Sequence, residues 1–161
     1  YRKLGAGKVF IVKNYPAKPE IENTEFRDID CKVKRFLYIG RDISPQRVDY
    51  CRDAKYAWKQ LLKYVSKGQA QVTVIGDPGV RSAKGIVSLG YIDHMRVYRE
   101  GRYHHFGLLA LKPTPYHKCC GLNRAYIMAH LGIVPIITKT YESVLKDLEK
   151  FLITVKKDQY V

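Results

Sequence analysis

The run from Gln71 to Tyr98 constrains the fold more than any other part of the sequence. Residues 71–75 alternate between apolar and polar side chains, which predicts a half-buried strand. Asp77 then suits the N-cap of a helix and Pro78 its first position, and Gly90 is the expected end of that helix. The last eight residues of the run are typical of a second strand. The order strand, helix, strand predicts a chain that combines both kinds of element.

A long helix is predicted before this run. Ser44 can cap it, Pro45 suits its first turn, and Gly68 provides its end. Between these residues, apolar side chains recur at helical spacing, at Val48, Cys51, Ala54, Trp58, Leu61, Leu62 and Val65.

A hairpin is predicted after the run, because Glu100-Gly101 supplies the glycine that a tight turn needs before a strand at 103–111. Beyond Pro113 the pattern predicts further elements: strands at 122–128 and 131–137, a helix from Tyr141 to Phe151, and a last strand at 152–155. The predicted fold class is therefore α+β, with a helix–strand–helix–hairpin unit and then a small β-rich unit with one helix. Three parts are expected: an N-terminal extension at 1–43, an α/β unit at 44–112 and a β-rich unit at 113–161.

The charge of the chain points to a polyanionic partner. Lysine and arginine number 29 against 15 acidic residues, which gives a formal net charge of +14. Such a field concentrates nucleic acid and releases its counterions on binding. A basic protein without a polyanionic partner is the open alternative. A membrane-spanning role is not supported, because the apolar stretch from Leu131 to Ile137 is too short to cross a bilayer.

The sequence offers little support for catalysis, metal or cofactor binding. His117 beside Cys119-Cys120 would need a second pair of ligands to hold zinc, so free thiols are favoured over a metal site. The Gly76–Gly79 turn is not followed by the Lys-Ser or Lys-Thr pair of a phosphate loop. No nucleophile, base and acid combine into a specific constellation. We therefore predict no metal, no cofactor, no small-molecule substrate and no enzymatic activity.

Several short motifs occur in an order that resembles one known family. Lys67-Gly68 precedes the strand, and the next helix ends at Gly90-Tyr91-Ile92. In the last third of the chain, Gly121-Leu122 leads to Arg124 and Tyr126, and then to Leu131-Gly132-Ile133. This order resembles the small-subunit ribosomal protein eight family, in a divergent mitochondrial version. That family has Ser-Thr-Ser-x-Gly where this chain has residues 137–141.

The resemblance implies a structural constituent of the small ribosomal subunit. Such a ribonucleoprotein component would bind a helix in the central domain of the rRNA, contact neighbouring ribosomal proteins and support subunit assembly for translation. The implied location is the mitochondrion, with another organelle or the cytoplasm as the alternative. Hydroxyls and cations suit A-form RNA, so the expected RNA-binding residues are Thr138, Lys139, Thr140, Tyr141, Arg124, Lys63, Lys67, Arg81 and Lys84. An Alba-like nucleic-acid-binding module outside the ribosome is the alternative.

Overall fold

One six-stranded sheet forms the centre of the molecule, and every strand pair in it is parallel. The computed structural model describes residues 32–41, 43, 53–118 and 122–155. The strands are β1 (Lys34–Ile39), β2 (Ala70–Ile75), β3 (Ile86–Gly90), β4 (Phe106–Leu109), β5 (Val134–Thr138) and β6 (Ile153–Val155). Their spatial order is β3-β2-β1-β4-β5-β6. This is the strand order of a doubly wound Rossmann fold.

Helices make most of the crossovers that a parallel sheet requires. They are α1 (Lys55–Ser66) before β2, α2 (His94–Gly101) before β4, α3 (Asn123–His130) before β5 and α4 (Glu142–Leu148) before β6. A short 3-10 helix, Pro115–Lys118, precedes α3, and another, Glu149–Phe151, follows α4. The connection from β2 to β3 consists of turns rather than a helix.

The central strands are buried on both of their faces. Leu37 and Tyr38 are neighbours in β1, so their side chains point to opposite sides of the sheet, and both are fully buried. In β4, Leu108 and Leu109 are likewise both buried. Strands that are covered on both faces lose the alternation of apolar and polar residues that marks a half-exposed strand.

The predicted α+β fold is wrong, and the first reason lies after β2. Asp77 does not cap a helix there. One of its carboxylate oxygens accepts a hydrogen bond from the Gly79 amide at 2.9 Å, which closes a turn. The second half of the expected helix is β3, which pairs in parallel with β2. Apolar residues at helical spacing therefore belong to a turn and a strand.

The predicted hairpin is also wrong, because its first strand and its turn are helix α2. The Asp93 carboxylate accepts from the Arg96 amide at 2.9 Å and caps that helix. Gly101 is the last residue of α2 rather than the tip of a hairpin. The strand expected at 122–128 is helix α3 in the structure. Helices α2 and α3 each belong to a crossover between parallel strands, whereas a hairpin would have joined two antiparallel strands.

Other predicted elements are confirmed. The strand expected at 71–75 is β2, the C-terminal part of the first helix is α1, and the last helix and strand are α4 and β6. The expected start of the first helix, at 44–52, lies outside the described residues. Strands from both sides of the expected boundary at 113 belong to one sheet, because β4 pairs with β5. The domain limits themselves stay a prediction.

Candidate ligand-binding site

The strand order creates a crevice at the carboxyl-terminal edge of the sheet. From β1 the chain moves outward through β2 and β3, and then returns to β4 on the other side of β1. The connections that leave β1 and β4 therefore diverge. In open α/β sheets, ligands bind outside the carboxyl ends of the strands at such a switch point.

Arg124 reaches into this crevice from the first turn of α3. Its guanidinium donates a hydrogen bond to the carbonyl of Ile39, the last residue of β1. Arg124 is half-buried, and a guanidinium has five N–H donors in a fixed plane. The bond to Ile39 positions the side chain and leaves donors for an anionic group.

Gly40 provides the room for this arginine. A Cβ atom at Gly40 would overlap the Arg124 guanidinium and lie 2.9 Å from the Tyr38 hydroxyl. A side chain at position 40 would therefore displace the end of the Arg124 side chain from its place beside Ile39. The glycine directly after β1 is a requirement of the site.

Helix α3 is held firmly against the sheet, which fixes the position of Arg124. A Cβ atom at Gly107 in β4 would overlap the Met128 side chain, so this glycine allows close packing of α3 on β4. The Tyr126 hydroxyl of α3 also donates a hydrogen bond to the Asp147 carboxylate of α4, at 2.8 Å. The arginine thus stands on a rigid element.

Asp77 joins the two loops on the other side of the crevice. It is fully buried, and its carboxylate accepts from the Ile43 amide at 3.0 Å and from the Gly79 amide at 2.9 Å. Gly76 precedes it with a positive φ of 92°, a conformation that favours glycine. Since both oxygens of Asp77 accept backbone hydrogen bonds, its role is to fix the loops after β1 and β2.

The ends of β4 and β5 are joined by buried side chains. The Thr138 hydroxyl donates to the Leu111 carbonyl at 2.5 Å. The His117 ring stacks on the Tyr141 ring, with centroids 4.5 Å apart and an interplanar angle of 19°. Both rings are 2% exposed, so neither is a surface contact. The His117 Nδ1 atom accepts a long hydrogen bond, 3.4 Å, from the Thr114 amide.

Two hydroxyls at this edge are buried without a hydrogen-bond partner. They belong to Thr114, after β4, and to Thr140, after β5. Buried hydroxyls are nearly always paired with protein, water or ligand. Exposed cations stand at the same edge, at Arg41, Lys112 and Lys139. The arrangement can therefore hold a ligand that carries both anionic and hydroxyl groups.

The structure brings five of the nine expected contact residues to this edge: Arg124, Thr138, Lys139, Thr140 and Tyr141. Thr138 and Tyr141 are buried there, so they shape the site, while Lys139 is exposed. Lys67 follows α1 and Lys84 precedes β3, so both lie at the opposite edge of the sheet, with Lys63 one helical turn away. Arg81 lies in the β2–β3 connection. The RNA contacts assigned to these residues stay untested by the geometry.

Sequence reasoning missed Gly40, Thr114 and the loop-fixing role of Asp77. A signal was present, because β1 is followed by Gly40-Arg41 and β2 by Gly76-Asp77. A small residue directly after a buried strand is typical of a close backbone approach at a ligand site.

Within the described ranges, no group of three histidine, cysteine or acidic side chains could hold a metal ion. The Cys119-Cys120 pair lies outside them. Of the helices described, none has the length and apolar character needed to cross a membrane.

Comparison with known proteins shows a likeness of fold. No family model and no curated protein matches the chain. Among solved structures, a trehalose-6-phosphate synthase matches 80% of this chain with a TM-score of 0.55 and 14% identity. An alpha,alpha-trehalose-phosphate synthase (UDP-forming) from Burkholderia xenovorans matches 79% with a TM-score of 0.54 and 12% identity, and the alpha,alpha-trehalose 6-phosphate synthase from Burkholderia multivorans matches 80%, with 0.55 and 12%. The chain spans only about a third of these proteins, 34%, 33% and 32% of their lengths.

These findings correct the ribosomal interpretation. The chain has the parallel sheet of these synthases and not the fold implied by the small-subunit ribosomal protein eight family. The predicted role as an rRNA-binding constituent of the ribosome is therefore wrong, and the Alba-like alternative is not supported either. The predictions of no enzymatic activity and no small-molecule substrate are also contradicted, because the matching structures are enzymes that act on small molecules. The location stays a prediction.

Proposed function

We propose that this chain is the donor-binding domain of a glycosyltransferase, and that it binds the phosphate groups of a sugar nucleotide between β1 and β4. The fold supports this proposal. One of the similar trehalose-6-phosphate synthases is described with bound UDP-2-fluoro glucose and another with glucose-6-phosphate. A third is described in a study of enzymatic glycosyltransfer with retention.

The position of Arg124 carries the proposal. Its guanidinium lies at the switch point, bound to the Ile39 carbonyl, in the space that the absence of a side chain at Gly40 leaves for it. Charge-assisted hydrogen bonds from arginine to phosphate are short and often bidentate. A preorganised arginine loses little side-chain entropy when it binds. Arg124 would therefore both attract a phosphate to this point and orient it.

The rest of the edge suits the remaining parts of such a ligand. The hydroxyls of Thr114 and Thr140 are buried, so they would pair with hydroxyl groups of the sugar or ribose after the segments that follow β4 and β5 move. Arg41, Lys112 and Lys139 add positive potential, which favours the approach of a diphosphate.

Glycosyl transfer would need groups in addition to these. Both carboxylate oxygens of Asp77 accept backbone hydrogen bonds, so this acid is poorly placed to act as a base. This chain spans only about a third of the length of the matching synthases, 34% and 33%. We expect the domain to bind the donor and to depend on residues outside the described site for transfer.

Calorimetric titration with UDP-glucose, UDP and glucose-6-phosphate tests the proposal. We expect UDP-glucose and UDP to bind, and Arg124→Gln to weaken both by roughly 10- to 100-fold, as loss of a charged hydrogen bond does. Arg96→Gln, which removes an exposed arginine paired with Glu100, is the matched control and should leave affinity unchanged. Absence of binding by UDP-glucose and UDP, whether or not glucose-6-phosphate binds, or equal affinity of the Arg124→Gln protein, would show that the proposed function is wrong.

A further inference from the structure

An apolar groove runs beside α1 and reaches the carboxyl-terminal end of β6, where Val155 pairs with Thr138. Side chains of four strands form its floor, namely Phe36, Leu108, Ile136 and Val155, and Tyr56, Gln60 and Tyr64 of α1 form one wall. Its volume is about 380 Å³. We call this surface the α1 groove.

The α1 groove is open to solvent over its outer strands. Ile153 lies on the same face of β6 as Val155, since residues two apart in a strand share a face. Its side chain is 44% exposed, and Tyr64 opposite is 56% exposed. By contrast, Leu108 on the floor is only 4% exposed. The groove is therefore recessed in its centre, with half-exposed apolar side chains along its sides.

A row of lysines borders the groove. Lys59 and Lys63 in α1 and Lys67 after it are spaced four residues apart, and all three are exposed. Residues at this spacing lie on one side of a helix, so the lysine row runs beside the row of Tyr56, Gln60 and Tyr64. Helix α1 contains no acidic residue. The α1 side of the groove is thus positive.

The dimensions of the open face fit one helix. From β4 to β6 there are two strand spacings, which together measure about 10 Å. An α-helix with its side chains has a diameter of about 10–12 Å. A helix lying along the strands would fill the space between α1 and the β6 edge of the sheet.

Charge and shape separate the conceivable partners. A second copy of this chain, at +14, would bring like charges together. A flat bilayer would meet the lysines and tyrosines first, and would not reach a floor as recessed as Leu108. An acidic helix with an apolar stripe can place its acidic side chains against the lysine row and its apolar side chains on the concave floor.

We propose that the α1 groove docks an amphipathic helix of a partner protein, with apolar residues in the groove and acidic residues along Lys59, Lys63 and Lys67. This helix-in-groove mode places anchors at i, i+3, i+4 and i+7. The two proposals rest on different residues, so partner binding and donor binding can be tested separately.

A synthetic peptide serves as the probe. It has about 20 residues, enough to form a helix, with leucines at i, i+3, i+4 and i+7 and a flanking row of glutamates. A second peptide carries lysines in place of the glutamates. Fluorescence anisotropy measures affinity, and amide hydrogen exchange locates the site. We expect only the acidic peptide to bind, with protection in α1 and β6.

Charge-reversal variants sharpen the test. K59E/K63E/K67E should weaken the acidic peptide by roughly tenfold or more, since exposed ion pairs contribute modestly and add up in a row. K84E/K146E/K150E changes the charge equally at other exposed lysines and should leave affinity within about twofold. Tyr64→Ser tests the apolar wall and should also weaken binding, with the thermal unfolding midpoint unchanged.

Three results would overturn the proposal. They are equal affinity for the two peptides, protection confined to elements other than α1 and the floor strands β1, β4, β5 and β6, and equal weakening by the two triple variants. Phosphatidylcholine–phosphatidylserine vesicles are the remaining probe. Binding to them through the same lysines, without binding of the acidic peptide, would identify a membrane-facing surface instead.

Discussion

The two edges of the sheet are both cationic, and each holds a buried polar side-chain atom without a partner, such as Arg102 Nε at the amino-terminal edge, yet only the carboxyl-terminal edge has a crevice at a switch point. The amino-terminal edge carries Lys34, Arg35, Lys67 and Lys84, and the carboxyl-terminal edge carries Arg41, Lys112, Arg124 and Lys139. At the first edge the backbone is paired internally, as the Arg35 amide donates to His105 Nδ1 at 3.0 Å. At the second edge, an arginine occupies a crevice and two buried hydroxyls have no partner. The number of cations does not distinguish a site; the backbone geometry around them does.

Among the changes at the carboxyl-terminal edge, removing the Asp77 carboxylate should lower the free energy of unfolding the most. Asp77→Ala leaves the amides of Ile43 and Gly79 without their acceptor. We expect a loss of about 2–4 kcal/mol in the free energy of unfolding, because the orphaned Ile43 amide is buried and costs about 1–3 kcal/mol, and the lost bond to the more exposed Gly79 amide adds about 1 kcal/mol. Urea unfolding measures this loss. Asp93→Ala, which removes an exposed helix cap, should cost less, about 1 kcal/mol. Equal losses for both variants would contradict the loop-fixing role of Asp77.

Placing a side chain at position 40 should have the next largest effect on the free energy of unfolding. The Cβ atom of Gly40→Ala would overlap the Arg124 guanidinium, with an expected cost of about 1–3 kcal/mol in unfolding free energy and roughly tenfold weaker UDP binding.

The double variant Gly40→Ala/Arg124→Gln tests the cause of that effect. Removing the guanidinium relieves the overlap, so part of the stability should return while binding stays weak. Thermal unfolding and calorimetry together separate the two effects. If stability does not recover, the guanidinium is not what excludes a side chain at position 40.

His104, which lies between α2 and β4, should make the amino-terminal half sensitive to pH. Burial lowers the pKa of His104, and its ring bonds the Gly101 carbonyl at 3.0 Å and the Thr73 hydroxyl at 2.7 Å. The unfolded chain therefore binds a proton at a higher pH than the folded chain does. The stability contributed by neutral His104 is fully present above about pH 6.5, the ordinary histidine pKa, and is lost as the pH falls through the folded value.

Urea unfolding between about pH 7.5 and about pH 5 checks this linkage. We expect His104→Gln to be less stable at the higher pH and to show a smaller loss on acidification than the unmodified protein. An identical pH dependence of the two proteins would exclude His104 as the group responsible.

The smallest effect on UDP affinity is expected from changes at the amino-terminal edge. Lys67→Gln/Lys84→Gln removes two exposed cations far from the crevice, and salt at physiological strength screens their field over about 8 Å. UDP affinity should change by less than about twofold. A loss comparable to that of Arg124→Gln would mean that charge alone governs binding.

The sequence predicted some elements of the fold correctly and others wrongly. β2 and α1 were recognisable, because Gln71 and Thr73 alternate with buried valines and because Leu61 and Val65 repeat at helical spacing. The segment from Asp77 to Gly101 was misread. β3 is an edge strand without buried residues, and its apolar residues Ile86, Val87 and Leu89 do not alternate with polar ones. It therefore lacks a two-residue period and imitated a helix. One useful signal was Asp93, whose carboxylate caps the helix that follows it.

The site was only partly predictable for a related reason. Arg124 and the segment from Thr138 to Tyr141 drew attention as polar groups in the last third of the chain, and the fold brings them together. Their meeting with Gly40 depends on the crossover that places β4 beside β1, and this strand order is a long-range property. The resemblance to a ribosomal family rested on short motifs whose spacing fits more than one topology.

Amide nuclear magnetic resonance during a titration with UDP-glucose tests the central claim most directly, because it locates the bound ligand residue by residue. We expect saturable shifts to cluster at Gly40, Arg124 and the Thr114 and Thr140 amides, with little change at Lys67 or Lys84. Shifts concentrated at the amino-terminal edge, or no shifts at saturating UDP-glucose, would contradict the assignment of the β1–β4 crevice as the site.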